Sequence, residues 1–237
     1  MDLDLKLIKK NDGSHLGFME PEQITLVHVN EALEKGIVNI KYVPLKFQTK
    51  EMWEKCLKIN ANLLSFINKD SKILDSKLAL IAVTVDGLAL KLIPSPFKTN
   101  KVLHQAVTQN GLALSFVSKK KQTKELCDIA FNNNHSAYWS ISNPEFLTLD
   151  MAKKAIKKDP TYYTRLDEKF KTPELINIAL KSDGRVLNHI DSQTVDQCII
   201  ALKSKLEAYI YVKIMDNPNG KQTLKNLELK KQVLDGL

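Results

Sequence analysis

Glycine occurs eight times and cysteine three times in this chain of 237 residues, and neither is arranged for chemistry. There is no Gly-rich phosphate loop, no Gly-x-Ser-x-Gly elbow and no His-Glu-x-x-His helix. The motifs on which NTPases, α/β-hydrolases and zinc proteases are built are therefore absent. The five histidines, His15, His28, His104, His135 and His189, include no pair at metal-ligand spacing. Cys56, Cys127 and Cys198 are odd in number and far apart, which excludes a disulfide framework and fits a reducing compartment. No run of about 18 apolar residues exists, so no membrane span is expected. The opening "MDLDLKLIKKND" lacks the basic-then-apolar layout of a signal peptide. These absences lead to an expectation of a cytoplasmic chain, or one in a host cytosol if it is a viral or effector protein. Neither cofactor, metal nor catalysis is expected, and the sequon at Asn134-His135-Ser136 carries no meaning there.

What the chain has is charge and periodicity. The net charge is +8, which permits an acidic partner such as nucleic acid. Along the chain the charge is not polarised: 15 basic and 12 acidic residues precede position 118, and 20 and 15 follow.

The periodicity decides the fold. Thr25, Thr49, Asp75, Thr99, Thr123, Thr148, Thr172 and Thr194 each stand eleven residues before a break: Gly36, Asn60, Asp86, Asn110, Asn134, Asp159, Asp183 and Lys205. Thr and Asp are good helix N-caps, and "TKEM", "TKEL" and "TPEL" suit a first helical turn. Counting the cap as position 0, position 7 is always small: Ala32, Cys56, Ala82, Ala106, Ala130, Ala155, Ala179 and Ala201. Position 8 is always apolar. Position 15 holds Ile40, Leu64, Leu90, Leu114, Tyr138, Tyr163, Leu187 and Tyr209. Position 18 holds Val43, Ile67, Ile93, Val117, Ile141, Leu166, Ile190 and Val212.

Each unit thus reads as a helix of about ten residues, a tight break, and a second helix of about seven. Caps follow one another at 22 to 26 residues, with all the variation after the break. Helices this short are marginal alone, and stacking gives each a neighbour to bury against. The expected fold is all-α: a solenoid of eight short helix-turn-helix repeats over 25–212, with caps at 1–24 and 213–237. Met1–Lys10 alternates Leu3, Leu5 and Leu7, which suits a strand or an end cap. At Asn110-Gly111 the expectation is a helix end with Gly111 in the left-handed conformation.

The strings "QTKELCDIAFNNN", "FQTKEMWEKCLKIN", "AVTQNGLALSFV" and "NIKYVPLKF" resemble a family of uncharacterised bacterial, protist and viral repeats with a unit like "TKELCxxAVxxNGxALxxVP". The resemblance covers roughly 25–212 and departs after Asp150, where Asp-Pro and Asp-Gly replace Asn-Gly. It implies a helical-repeat domain, and a partner from a host; it supplies no catalytic residues.

Candidate binding residues come from surface ladders. Position 9 carries Lys157, Lys181 and Lys203 in the last three units, with Lys153 and Lys154 beside them. These form either a basic stripe or an ordinary solvated face. In "NNNHSAYW", Trp139 occupies a mostly polar column beside Asn132 and His135. It is either an interface anchor or packed on its neighbours. The three cysteines read as core residues, and "SKKKQTK" as a solvated connector. A partner protein is favoured over RNA or DNA, because the exposed positions vary without a reading code.

Overall fold

The computed structural model describes residues 3–68 and 72–213; the expected C-terminal cap lies almost wholly outside them. The chain is all-helical, with 75% of residues in helix and no strand among the described residues. Eight ten-residue α-helices begin directly after the eight expected caps: α2 (Leu26–Lys35), α3 (Lys50–Ile59), α4 (Ser76–Val85), α5 (Asn100–Gln109), α6 (Lys124–Asn133), α7 (Leu149–Lys158), α8 (Pro173–Ser182) and α9 (Val195–Ser204). In α3 to α9 the Thr or Asp side chain accepts the N–H three residues on, satisfying a donor that the helix itself leaves unpaired. At α2 the Thr25 N–H donates to His28 Nδ1 at 3.2 Å, one half of a capping box.

Two open expectations are resolved. The N-terminal segment is an α-helix, α1 (Leu3–Lys10), followed by a 3-10 helix, Ser14–Phe18; it is not a strand. The alternating leucines are exposed or half-buried, and Ile8 is the residue that α1 buries. The second helix of every unit is also not an α-helix. Each is a six-residue 3-10 helix, from Ile37–Tyr42 to Leu206–Tyr211. A segment so short gains as many hydrogen bonds from the tighter winding, because an α-helix leaves its last four carbonyls unpaired.

Contacts divide the chain into two compact units, Met1–Asn143 and Pro144–Leu237. In the first, α1 packs on α2, and α3 to α6 pack in sequence order. The 3-10 helices form a second layer in the same order, from Ser14–Phe18 through Ile37–Tyr42, Ala61–Phe66, Gly87–Leu92 and Gly111–Phe116 to His135–Ser140. The second unit repeats this with α7, α8 and α9 and the 3-10 helices Pro160–Arg165, Gly184–His189 and Leu206–Tyr211. Between the layers lie the expected columns. Every position-7 and position-18 residue is buried, as is every described position-15 residue.

The break between the two helices works differently from the expectation. Asn110 is extended, at φ −149° and ψ 110°, and no glycine but Gly13 has positive φ among the described residues. The Asn110 side chain accepts the Leu112 N–H at 3.0 Å and so caps the following 3-10 helix. Asn60, Asp86, Asn134, Asp159 and Asp183 do the same. Glycine at position 12 is explained by its neighbour. A Cβ on Gly111 would lie 2.1 Å from the Ala130 carbonyl oxygen, and on Gly87 2.4 Å from that of Ala106. In the second unit, a Cβ on Gly184 would lie 2.2 Å from the Ala201 oxygen. These three 3-10 helices thus start against the position-7 carbonyl of the next α-helix, where a small side chain is also found. The exposed N–H at this point is satisfied across the contact. Gly87 N–H donates to Gln109 Oε1 at 2.6 Å and Gly111 N–H to Asn133 Oδ1 at 2.7 Å. The same amides donate back to Val85 and Thr108 carbonyls.

A second bracket recurs at the residue before the cap. Gln122 donates to the carbonyls of Val117 and Ser140, and accepts from Ser142 N–H and the Cys127 thiol. Gln193 treats Leu187, Tyr211, Lys213 and Cys198 alike. At Gln48 the donor at position 4 is Trp53 Nε1, 3.0 Å away. Where position 4 is Val29, Ala79, Leu103, Ala152 or Ile176, the residue before the cap is not glutamine. Buried amides need partners, so the two positions go together.

The close contact makes a paired test. Gly111→Ala should destabilise by about 1–3 kcal/mol through overpacking. Gly36→Ala, whose Cβ would meet nothing nearer than 3.5 Å, should change stability by less than about 0.5 kcal/mol. Urea denaturation of both variants checks it.

Candidate functional site

In the second unit the structure brings three of the expected lysines together. Lys157, Lys181 and Lys203 stand in the last turns of α7, α8 and α9, which pack side by side. All three are exposed and make no ion pair among the described residues. A cation at a helix C-terminus is favoured by the backbone dipoles there. Lys153 and Lys154 do not join them. Lys153 reaches across to Glu174 on α8 at 2.7 Å, and Lys154 pairs with Asp150 one turn back at 2.8 Å. The expected five-lysine stripe is thus three free ammonium groups beside two neutralised ones.

The other three candidates belong to the first unit. Asn132 is exposed in the last turn of α6. His135 is half-buried and stacks on Phe131, with centroids 4.7 Å apart and planes 26° apart. Trp139 is half-buried and meets Tyr138 edge to face at 4.7 Å. Both aromatic rings serve the packing of their own repeat, which leaves each only part of its surface for a partner.

A stronger asymmetry becomes visible when charges are grouped by layer. In the first unit, residues 25–36, 49–60, 75–86, 99–110 and 123–134, the α-helices with their caps and breaks, carry eight acidic residues and seven lysines. Residues 37–48, 61–74, 87–98 and 111–122 carry nine lysines and a single acid, Asp70; only the stretch around the first 3-10 helix, 11–24, adds more, Asp12, Glu20 and Glu22. The acids have work on the α-helical side, where Glu54 pairs with Lys77, Asp75 with Lys50 and Glu31 with Lys9. Some lysines of the other side are used structurally. Lys98 donates to the Phe116 carbonyl, Lys121 to that of Lys98 and Lys46 to that of Pro21. Burial, with Lys121 nearby, lowers the Lys98 pKa below its ordinary value. Lys41, Lys72, Lys91, Lys119 and Lys120 are exposed and make no ion pair among the described residues.

On this side a cavity of about 580 Å³ is lined by Leu64, Ile67, Leu74, Leu92 and Phe97, together with Lys72 and Lys91. Counting along the chain hid this face because acids and lysines alternate with the layers. Among the described residues no three His, Cys, Asp or Glu side chains gather as metal ligands would, and no helix is long and apolar enough to cross a membrane. No protein-family model, curated protein or solved structure matches the chain.

The thiols are buried, as their place in the apolar columns suggests. Burial raises all three pKa values, to about 11 at Cys127 and Cys198. Thiolate is the reactive form. In the folded protein at pH 8, Ellman's reagent should therefore find almost no thiol, and in denaturant all three. Rapid labelling of Cys127 or Cys198 before unfolding would contradict this burial.

Proposed function

We propose that the chain is a non-enzymatic helical-repeat binding module that engages an acidic partner protein along the 3-10 side of its stack. In this reading the eight helix pairs form one solenoid between terminal caps, as in the repeat family that the sequence resembles, and the partner comes from a host cell. The observation that carries it is the lysine-rich, nearly acid-free 3-10 side of the first unit between residues 37 and 122. Charges of one sign steer an oppositely charged partner and reject like-charged ones. A repeated surface offers that partner a long contact from small units.

RNA or DNA is the second reading, favoured by the aligned Lys157, Lys181 and Lys203. Three phosphate contacts give weak binding, with a salt slope of roughly −2.7 on log-log axes. The ion-paired Lys153 and Lys154 add little to it, so a protein partner is preferred.

Capture from native lysate with and without nuclease separates the two. The expected result is a protein that stays bound after nuclease treatment. It should be lost when Lys91, Lys119 and Lys120 are changed to Glu, and kept by Lys157→Glu/Lys181→Glu/Lys203→Glu. Nuclease-sensitive capture that disappears in the second triple variant would replace this reading with the nucleic-acid one.

A further inference from the structure

The cavity on the lysine-rich side combines three properties. Its floor is aliphatic and recessed: Leu64 and Ile67 are 4% and 7% exposed, and Leu74, Leu92 and Phe97 are half-buried. Its lining carries two exposed ammonium groups, Lys72 and Lys91, and no carboxylate among the described residues. Its volume of about 580 Å³ is in the range of pockets that take a small ligand or a large side chain. It also lies where the repeat is longest. Thr49 and Asp75 are 26 residues apart rather than the usual 24, and Asn68, Lys72 and Leu74 of this longer connector are among the lining residues.

These features define the chemistry of an occupant. An apolar floor rewards an apolar side chain, and two cations that pair with no carboxylate among the described residues reward carboxylates on either side of it. Nucleic acid fits less well, because bases need flat rings to stack on and the floor is built chiefly from Leu and Ile. The cations are lysines, without the arginine fork that grips phosphate in two-point fashion. A lipid surface also fits less well, since apolar side chains that enter a bilayer must protrude, and these are sunk.

We propose that the cavity between the 3-10 helices Ala61–Phe66 and Gly87–Leu92 is a docking pocket for one apolar side chain in an acidic segment of a partner protein, with Lys72 and Lys91 holding the flanking carboxylates. The proposal rests on the binding-module reading and gives it an address and a ligand motif. Phe97 forms part of the wall. Ser65, whose Oγ already donates to the Asn62 carbonyl, is the exposed position from which a larger side chain would fill the space.

Fluorescence anisotropy on the full chain tests it with a labelled synthetic peptide, Ser-Asp-Asp-Leu-Asp-Asp-Ser. The expected result is saturable binding that weakens about tenfold or more when the peptide leucine becomes serine, the size of effect a buried anchor produces. Lys72→Glu/Lys91→Glu and Ser65→Trp should each weaken it by at least about tenfold, while Lys72→Arg/Lys91→Arg should stay within about threefold. Circular dichroism and urea melts show that each variant is folded.

Equal binding of the leucine and serine peptides would overturn the pocket. So would absence of saturation below about 1 mM, the edge of specific affinity. A single-stranded DNA 15-mer or phosphatidylserine vesicles that depend on Lys72 and Lys91 more than the peptide does would also overturn it. Peptide binding kept by Lys72→Glu/Lys91→Glu but lost in Lys157→Glu/Lys181→Glu/Lys203→Glu would overturn the pocket and leave the binding-module reading standing. Nuclease-sensitive capture of lysate material would instead remove that reading itself.

Discussion

One contact sets the terms for the rest of the structure: the start of a 3-10 helix against the position-7 carbonyl of the next α-helix. At Gly111 and Ala130 the approach is so close that no Cβ fits. That closeness suits the alanine at position 7 of the facing helix, Ala106, Ala130 or Ala201, wherever position 12 is glycine. It is also why an amide from Gln109 or Asn133 is needed to satisfy the glycine N–H there. With the backbones pinned at this point, the apolar columns at positions 15 and 18 come into register and are buried together. Dispersion and burial supply most of the stabilisation, and the hydrogen bonds fix which neighbour is used and at what height. At the N-terminal end Gly13 and Asn39 make a local version of the same joint. A Cβ on Gly13 would lie 2.7 Å from the Ala32 oxygen, and Asn39 Nδ2 donates to that oxygen at 2.8 Å.

Much of this was legible in the sequence because it is local. A Thr or Asp followed eleven residues later by a polar break is a helix written out with both its ends, and all eight such helices are present. What was not legible depends on a neighbour 17 to 25 residues away. Asn110-Gly111 looks like a turn that needs a left-handed glycine, and nothing inside "TQNGLA" reveals that the constraint is the Ala130 carbonyl. The six residues "GLALSF" carry no sign of whether they wind as an α-helix or a 3-10 helix, since one turn of either buries the same side chains. The leucines of Met1–Lys10 suggested a strand or an end cap, and packing of α1 on α2 overrode the strand-like alternation.

The candidate surfaces divide along the same line. Alignment of Lys157, Lys181 and Lys203 followed from repeat arithmetic. The ion pairs that remove Lys153 and Lys154 from the stripe did not, because they depend on where Glu174 and Asp150 lie around the helix. The lysine-rich face needed the layers to be known first. A net charge of +8 spread evenly along the chain hid a strong separation across it. In the first unit the acids of residues 25–134 sit mainly where inter-helix partners and helix caps can use them. This leaves the 3-10 layer between residues 37 and 122 with lysines and almost no acid. Binding potential therefore emerges from the fold as a sorting of charges that composition alone reports as balanced.

The positions that lock one unit to the next lie between the cap and position 18. The residues beyond position 18 contribute few of those locks. Gain or loss of a residue within the first stretch would rotate the helix relative to its neighbour and open the glycine–carbonyl joint. The same change in the connector, outside the buried Gln122 and Phe170, leaves that joint and the apolar columns in place. Mutation by insertion and deletion is therefore channelled to one edge of the molecule. The spread of 22 to 26 residues between caps is the trace it leaves. That edge can acquire new shapes, such as the lengthened connector beside the Lys72 and Lys91 cavity, while the frame that carries it is held fixed.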